Sequence, residues 1–298
     1  MKRFLNTIIA AVAAVSLIGC GLSAARGENR GVPETAEGNI TAEEGAPEPE
    51  KLTDLSVYCF KIGKADSFVL QTENSVVVID TGEEEDDEEI IEYLEDNNIT
   101  DIDYLIISHF DKDHVGGAAD IINNFNIEHI LQPNASEESD EYYNYVSAVK
   151  SSGISPEVIT DTYTFSLDGA NFIVLPPLSA SYKEDKDNNS SLVVSISHGE
   201  NSFLFTGDAM DERITELLTY DNLEHTVLKM PHHGGYSDKL ADLVEAVSPE
   251  YAIITCSDKN PEDEETLEIL ENAGAEVYLT RNGDISITSD GENLTFKQ

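Results

Sequence analysis

From Ser108 to Gly117 the chain reads Ser-His-Phe-Asp-Lys-Asp-His-Val-Gly-Gly. The apolar run at residues 104–107 directly before it predicts a short buried strand, and the apolar positions at 118–125 after it predict a helix. Between them stand four metal-capable side chains, His109, Asp111, Asp113 and His114. Imidazole and carboxylate together suit zinc, manganese or iron. The stretch therefore predicts a metal site on a loop after a strand. The alternative is an acidic helix start with two chance histidines, although the chain has only seven His.

Three further polar motifs also come at the ends of strand-like runs. Asp80 ends the run at 75–80, Gly207-Asp208 follows the run at 201–206, and the pair His232-His233 follows the run at 226–231. An Asp at a turn after a strand is common without any function, so each motif is weak alone. Their repeated position predicts that these side chains gather at one edge of a sheet.

The stretch at 108–117 resembles the signature of the metallo-β-lactamase superfamily, usually His-x-His-x-Asp-His, with Asp111 in the place of the second histidine. This variant is similar to the hydrolase domain of ComEC-type competence proteins. Gly207-Asp208 and His232-His233-Gly234 resemble later motifs of the same family, in the same order. Over residues 52–298 the resemblance implies an α/β (α+β) fold, the αββα four-layer sandwich.

The resemblance also implies two divalent metal ions, Zn²⁺ or Mn²⁺. It assigns His109 and Asp111 mainly to the first ion. It assigns Asp113, His114 and one of His232 and His233 to the second, and Asp208 would bridge the two. The sequence does not distinguish which histidine of the pair is the ligand.

Two other positions have supporting roles in this interpretation. Asp80 would orient the metal loop through hydrogen bonds. The segment Asp187-Asn188-Asn189 stands where relatives in the wider superfamily carry a third histidine. One of the two metal ions would therefore be bound by Asn188, Asn189 or water instead. His198, one strand later, is predicted to lie at the surface. Residues 133–165 are predicted to be an insert, and residues 281–288 to form a glycine turn and the last strand.

Two adjacent cations activate water as a hydroxide nucleophile and hold the oxygens of a substrate. Asp113 would accept a proton, and the non-ligand member of the pair His232 and His233 would contact the reacting oxygen or act as a general acid. Carboxylate-rich ligation favours phosphodiester hydrolysis. The alternatives are a ComEC-like nuclease acting on DNA and a non-catalytic lipoprotein that binds a metal or ligand.

The N-terminus has the pattern of a secretion signal. Lys2 and Arg3 precede an apolar run that ends in Leu17-Ile18-Gly19-Cys20, which resembles a bacterial lipobox. We expect residues 1–20 to be a lipoprotein signal peptide, with Cys20 lipidated, 21–51 a disordered tether and 52–298 the hydrolase domain. The protein would then be anchored to a membrane of the bacterial envelope, facing outside the cytoplasm. An ordinary signal peptide or membrane anchor is the alternative.

The chain is strongly acidic, with 17 basic and 59 acidic residues and a net charge of −42. Residues 1–51 hold five basic and seven acidic side chains, so residues 52–298 keep 12 against 52, a net charge of −40. Nucleic-acid binding normally needs a basic surface, so the charge disfavours DNA as a substrate. A small-molecule or envelope ester fits better, and no protein partner is implied. Cys59 and Cys256 are predicted to be buried free thiols.

Overall fold

A computed structural model describes residues 52–298. The predicted signal peptide, Cys20 and the tether at 21–51 lie outside the described residues. Among the residues that are described, no helix is both long and apolar enough to cross a membrane. The strands are β1 (Leu55–Cys59), β2 (Ser67–Gln71), β3 (Val76–Thr81), β4 (Asp101–Ile106), β5 (Asn126–Pro133), β6 (Glu157–Ile159), β7 (Tyr163–Leu167), β8 (Ala170–Leu175), β9 (Val193–His198), β10 (Asn201–Phe205), β11 (Val227–Lys229), β12 (Tyr251–Ile254), β13 (Glu276–Leu279), β14 (Ile285–Ser289) and β15 (Leu294–Lys297). The α-helices are α1 (Asp87–Asp96), α2 (Lys112–Val115), α3 (Ala118–Asn124), α4 (Asp140–Ser152), α5 (Asp211–Leu217), α6 (Leu240–Val247) and α7 (Glu264–Ala273).

The strands form two sheets that share the same arrangement of antiparallel and parallel strands. The first has the order β15-β14-β1-β2-β3-β4-β5-β6 and the second the order β13-β12-β11-β10-β9-β8-β7. In each sheet one half is antiparallel and the other half parallel. Strands of the antiparallel half alternate buried and half-buried residues, as in β1 and β14, whereas the more central β3 is buried throughout. This difference is the one expected for a strand covered on one face or on both.

Three apolar clusters define four layers. One cluster joins residues of both sheets, for example Phe68 and Phe205, whose rings meet edge to face 5.0 Å apart. A second cluster packs α1, α3 and α4 on the first sheet, and a third packs α5, α6 and α7 on the second. The order helix, sheet, sheet, helix confirms the predicted αββα sandwich. Cys59 and Cys256 are buried free thiols, as predicted.

The parallel halves position the polar motifs. Strands β4, β10, β11 and β12 are each followed by a loop that carries one or more of the polar residues described below, and Asp80 lies near the end of β3. In sheets with parallel strands, ligand sites typically lie beyond the carboxyl ends of the strands. The two sheets therefore bring their loops together at a single edge of the sandwich.

Three local predictions are wrong. Residues 133–165, predicted as an insert, belong to the sandwich itself, because α4 packs on α3, β6 extends the first sheet and β7 begins the outer edge of the second. Residues 281–288 were expected to include the last strand, but β15 follows and pairs with β14. His198 is buried, not at the surface, because its Nδ1 lies 2.7 Å from Ser289 Oγ and its Nε2 lies 2.7 Å from the carbonyl oxygen of Thr53.

Candidate metal centre

The loop after β4 turns both of its histidines into the protein. His109 and His114 are fully buried, and their ring centroids are 4.0 Å apart. The turn depends on Gly116 and Gly117, since a Cβ at either position would lie 2.5 Å from backbone atoms of the loop after β3 or of α2. Only glycine permits so close an approach of two backbones. Hydrogen bonds hold the turn on the first sheet, among them one from Thr81 Oγ1 to the carbonyl oxygen of His114 at 3.0 Å.

Four predicted metal ligands meet in what we call the inner cluster: Asp113, His114, Asp208 and His233. One ligand atom of each lies within 4.8 Å of all the others. Asp208 presents one oxygen to each histidine, Oδ1 at 3.2 Å from His114 Nε2 and Oδ2 at 3.1 Å from His233 Nε2. Asp113 Oδ2 lies 3.4 Å from His233 Nε2. Residues from three loops, which are distant in the sequence, thus converge on one point.

Several of these atoms are buried without a hydrogen-bond partner among residues 52–298. They are His114 Nε2, His233 Nε2 and Asp208 Oδ1. Leaving a buried polar atom unpaired costs about 1–3 kcal/mol. A divalent cation would satisfy these atoms together, and two imidazoles with two carboxylates are an ordinary ligand set for zinc, manganese or iron. The residues that are present therefore fit a metal ion.

The other ring nitrogen of each inner-cluster histidine is held by a hydrogen-bond partner. His114 Nδ1 lies 2.8 Å from Asp80 Oδ2, and Asp80 also accepts bonds from the amide and the hydroxyl of Ser108 at 2.7 and 2.6 Å. Asp80 adopts a left-handed backbone conformation (φ 56°) to reach them. His233 Nδ1 lies 2.9 Å from Thr255 Oγ1, whose hydroxyl bonds Asp66 Oδ1 at 2.6 Å. Such partners fix the ring and leave Nε2 facing the point where the four side chains converge.

Asp66, Lys229 and Thr255 belong to the site but were absent from the predicted set. Asp66 is buried and forms an ion pair with Lys229, whose Nζ also donates to the carbonyl oxygen of Gly207 at 3.1 Å and lies 3.6 Å from Asp208 Oδ1. This buried ion pair, together with the bond to Gly207, fixes the position of the turn that carries Asp66 and of the loop that carries Gly207. Asp66 was detectable from the Gly63-Lys64-Ala65-Asp66 turn, which resembles a family motif, and Lys229 from the Lys-x-Pro-His-His run. Thr255 has no comparable signal in the sequence.

The charges of the inner cluster shift several pKa values. Burial lowers the pKa of His233, but the carboxylates of Asp208 and Asp66 outweigh burial and raise it to about 10. The pKa of His114 is also raised well above the usual value, because Asp208, Asp80 and Asp66 together outweigh burial. Burial raises the pKa of Asp113, but the nearby rings of His233 and His114 prevail and lower the pKa to about 2. Without a metal, the two histidines are therefore protonated at neutral pH.

His232 lies apart from the inner cluster. Its ring centroid is 6.2 Å from that of His233, and both residues adopt left-handed conformations that turn their side chains in different directions. It is half-buried, and burial lowers its pKa. His232 is therefore neutral at neutral pH and stands beside the cluster.

Asp111 and Asn189 occupy different positions relative to the cluster. Asp111 is one-third exposed, with Oδ2 at 3.6 Å from His109 Nε2. Asn189 is buried, but its Oδ1 accepts bonds from the amides of Met210 and Arg213 at 3.1 and 3.0 Å. Its amide group donates to the carbonyl oxygen of Glu184 at 3.0 Å. Asn189 thus holds the loop that follows Asp208. Its side-chain oxygen is already bonded there, so it is not directed to a metal ion.

The fold and this set of ligands define a class of protein. The model of the metallo-beta-lactamase superfamily matches residues 62–257, and the chain belongs to this superfamily. It is 28% identical over 203 residues to ComE operon protein 3 of Bacillus subtilis, covering 66% of this chain and 26% of that protein. It is 28% identical over 173 residues to Recombination protein 2 of Haemophilus influenzae, covering 58% of this chain and 20% of that protein. The resemblance to ComEC-type competence proteins is thereby confirmed, over about a quarter or less of each relative's length.

Among solved structures, the chain resembles the metallo-beta-lactamase fold protein YhfI of Bacillus subtilis. The TM-score is 0.54 at 10% identity, and the match covers 79% of this chain and 100% of that one. At this level of identity the similarity concerns the fold alone. It agrees with the two-sheet sandwich described above.

Proposed function

We propose that the protein is a metal-dependent hydrolase that cleaves phosphodiesters. The observation that carries this proposal is the inner cluster, in which buried nitrogen and oxygen atoms without other partners converge within a metallo-beta-lactamase fold. A divalent metal bound there supplies Lewis acidity, which polarises a phosphoryl oxygen and lowers the pKa of water. Two of the four candidate ligands are carboxylates, which suit a harder metal ion than a purely soft one. Such an ion favours an oxygen-rich substrate such as a phosphate ester.

The residues around the cluster have distinct tasks in this reaction. Asp113 is ionised at neutral pH and its side chain is 19% exposed, so it is placed to accept a proton from water. His232 is neutral and half-buried beside the cluster, so it is placed to donate a hydrogen bond to a substrate oxygen. Asp80, Asp66 and Thr255 orient the histidines but do not reach the substrate.

A cavity lined in part by the loop between β8 and β9 is our candidate for a small substrate, although none of the four inner-cluster residues lines it. Its volume is about 350 Å³, and the residues that line it include Ile159, Leu178, Tyr182, Lys186 and Asp187. Leu178 is 59% exposed, so it offers an apolar contact to an organic group. Lys186 offers a positive charge to a phosphate oxygen. An ester with one apolar substituent suits this lining.

Turnover of bis(p-nitrophenyl) phosphate by the full-length chain with Mn²⁺ or Zn²⁺ tests the proposal. We expect metal-dependent hydrolysis that Asp208→Ala abolishes, while circular dichroism shows a retained fold. Asp221→Ala is the matched control, because Asp221 is exposed on the loop that precedes β11, not on one of the loops that follow the strands and carry the ligands. Bound metal without hydrolysis of any ester would favour the alternative of a non-catalytic binding lipoprotein.

A nuclease is the second candidate, and the names of two relatives favour it. Recombination protein 2 is named for recombination, and the similar Competence protein ComA of Neisseria gonorrhoeae is named for competence. The net charge of −40 on residues 52–298 opposes it, because a polyanion is repelled. Cleavage of linear DNA, measured beside the small diester with the same metal, distinguishes the two candidates.

Anchoring in the bacterial envelope through a lipid on Cys20 is part of the same proposal. Its support is the Leu17-Ile18-Gly19-Cys20 sequence after an apolar run. We expect the wild-type chain expressed in a bacterium to incorporate labelled palmitate and to sediment with membranes. Cys20→Ser should lose the label, and an unlabelled wild-type chain would contradict this part of the proposal.

A further inference from the structure

Arg213, on α5 shortly after Asp208, is a fully buried cation that the proposed reaction does not use. Its guanidinium donates to the carbonyl oxygens of Leu175 at 2.8 Å and of Ser191 at 3.1 Å, and its Nη1 lies 3.3 Å from Glu216 Oε2. Leu175 ends β8, and Ser191 lies near the end of residues 176–192, which join β8 to β9 and which we call the β8–β9 segment. A buried charge needs partners that offset its lost hydration. Arg213 therefore fixes the β8–β9 segment at both of its ends.

Two glutamates of the same helix hold the middle of the β8–β9 segment. Glu216 Oε2 accepts bonds from the amide of Leu178 and from the hydroxyl of Tyr182, both at 2.9 Å. Glu212 Oε2 accepts bonds from two further backbone amides of the segment, at 2.9 and 3.2 Å. Bonds to a charged oxygen are stronger than neutral ones. Because residues 176–187 form no helix or strand, these bonds to α5 determine the conformation of the segment.

Most of the residues that line the cavity come from the β8–β9 segment. Within residues 52–298, the lining includes one basic and one acidic side chain, Lys186 and Asp187, and is otherwise uncharged. In a domain with a net charge of −40, such a lining suits an uncharged organic group better than a second anion. The volume of about 350 Å³ lies within the range of ~300–1,000 Å³ that is typical of small-molecule sites.

The β8–β9 segment also contacts two of the loops that carry candidate metal ligands. Ser191 Oγ accepts a bond from the amide of Asp208 at 3.1 Å. Asp187, in the cavity lining, has a carboxylate oxygen within 4.8 Å of one of Asp111, the residue before α2. The wall of the cavity and the metal loops are therefore joined, and a group in the cavity lies close to the loop after β4.

We propose that Arg213 and Glu216 are positioning residues that set substrate specificity. They hold the β8–β9 segment so that its cavity receives the apolar group that stays on the phosphate when a phosphodiester is cleaved. The inference rests on the proposed function for the position of the phosphate, and it adds which organic group is selected and through which residues. Leu178, an exposed apolar side chain of the lining, would contact that group. When Glu216 is removed, the amide of Leu178 loses its acceptor and the wall loses its shape.

Calorimetry with the Mn²⁺-loaded full-length chain tests the inference with two ligands, diphenyl phosphate and dimethyl phosphate. The two carry the same charge, differ only in their organic groups and need not be hydrolysed. We expect the wild type to bind diphenyl phosphate at least about tenfold more tightly, because an aryl group buries more apolar surface than a methyl group. Glu216→Ala and Leu178→Ala should lose most of this preference, while their affinities for Mn²⁺ and for dimethyl phosphate stay unchanged.

Two further variants separate positioning from a general structural role. Ile173→Ala is the matched control for Leu178→Ala, because Ile173 is an exposed apolar residue of β8 that does not line the cavity. Glu216→Gln is the conservative variant, and it should keep more of the preference than Glu216→Ala because its amide oxygen still accepts bonds. A merely structural role of Glu216 would lower the affinity for both phosphates and for Mn²⁺ together.

Equal binding of the two phosphates by the wild type would overturn the inference. So would a preference that survives in Glu216→Ala or in Leu178→Ala, an equal loss in Ile173→Ala, or a loss of Mn²⁺ affinity in Glu216→Ala. Hydrolysis of bis(p-nitrophenyl) phosphate is measured separately. The expected pattern of binding without hydrolysis of any ester would keep the selective cavity and refute the hydrolase, whereas hydrolysis without the preference would refute only the inference.

Discussion

At the scale of single residues, His232 and His233 are neighbours in sequence with different surroundings. His233 is buried and placed between Asp113, Asp208 and the Thr255 hydroxyl, whereas His232 lies beside the cluster. We therefore expect His233→Ala to weaken metal binding by more than about 100-fold, since even the loss of an outer partner costs 10–100-fold. His232→Ala should bind metal normally and lower kcat by about 10²–10⁴-fold, the range of general acid–base catalysis.

Calorimetry on both variants, beside steady-state kinetics at saturating metal, checks this prediction. The two variants remove the same side chain at adjacent positions, so each is the control for the other. Equal losses of metal affinity in both would show that the pair binds as a unit. An unchanged kcat in His232→Ala would remove this residue from the reaction.

The residues that contact the cluster differ in how far the sequence reveals them. His114, Asp208 and His233 stand in motifs that predict chemistry, because their residue types and order are uncommon outside metal sites. Thr255 follows an ordinary strand, and its hydroxyl matters only because β12 ends beside Asp66 in the folded protein. Outside the cluster, the approach of Glu137 and Asp187 to Asp111 is equally hidden, since acidic residues are common in this chain and the approach depends on separate loops meeting.

At the scale of secondary-structure elements, the metal loop depends on its tight contact with the loop after β3. Gly117 has an ordinary negative φ, but a Cβ there would lie 2.5 Å from the carbonyl oxygen of Thr81. We expect Gly117→Ala to destabilise the protein by about 1–3 kcal/mol or more and to lower metal affinity, because the backbone must move. Denaturant unfolding and metal titration measure the two effects.

Gly153→Ala is the matched control for this prediction. Gly153 ends α4 with φ 78°, and no atom lies within 4 Å of the position of its Cβ. The substitution should cost about 1–2 kcal/mol through backbone strain alone and leave metal affinity unchanged. If Gly117→Ala retains full metal affinity, the loop does not need the close contact.

The sequence predicts helices and strands best where a single hydrophobic pattern is clear. The buried runs of β3 and β4 are plain from composition, and the fold class follows from motif order. Helix α6 has the same kind of signal, with apolar residues at the helical spacing of Leu240, Leu243, Val244 and Val247. Strand β7 escapes prediction. Its residues alternate between half-buried and exposed at the edge of the second sheet, so its pattern resembles that of a surface loop.

At the scale of the whole molecule, metal binding and folding respond oppositely to pH. The folded-state pKa of His233 is about 10, against about 6.5 in the unfolded chain. The folded metal-free protein therefore binds more protons than the unfolded one above pH 6.5. Its free energy of unfolding should fall as pH rises from 6.5 to 8, and the contribution of His233 is fully present below pH 6.5.

Metal ions compete with the same protons, so affinity should rise with pH over this window. With His114 also protonated, log K should increase by up to about two per pH unit. Thermal unfolding with EDTA, and calorimetry in buffers of different ionisation enthalpy, measure the two trends. His233→Ala should flatten the pH dependence of metal-free stability. A metal-free Tm that stays constant from pH 6.5 to 8 would contradict the protonated histidines.

The negative net charge of residues 52–298 repels any anionic substrate. Only 12 basic side chains stand against 52 acidic ones in this range. Five of the 12 pair with a carboxylate: Lys229, Arg213, Lys112, Lys239 and Arg281. We expect kcat/KM for the anion bis(p-nitrophenyl) phosphate to rise as NaCl increases from 10 to 200 mM, since the Debye length shortens from about 30 Å to below 10 Å. The kcat at saturation serves as the internal reference and should change little. A fall in kcat/KM with salt would mean that a local positive patch, rather than the overall field, guides the substrate, and it would renew the case for DNA.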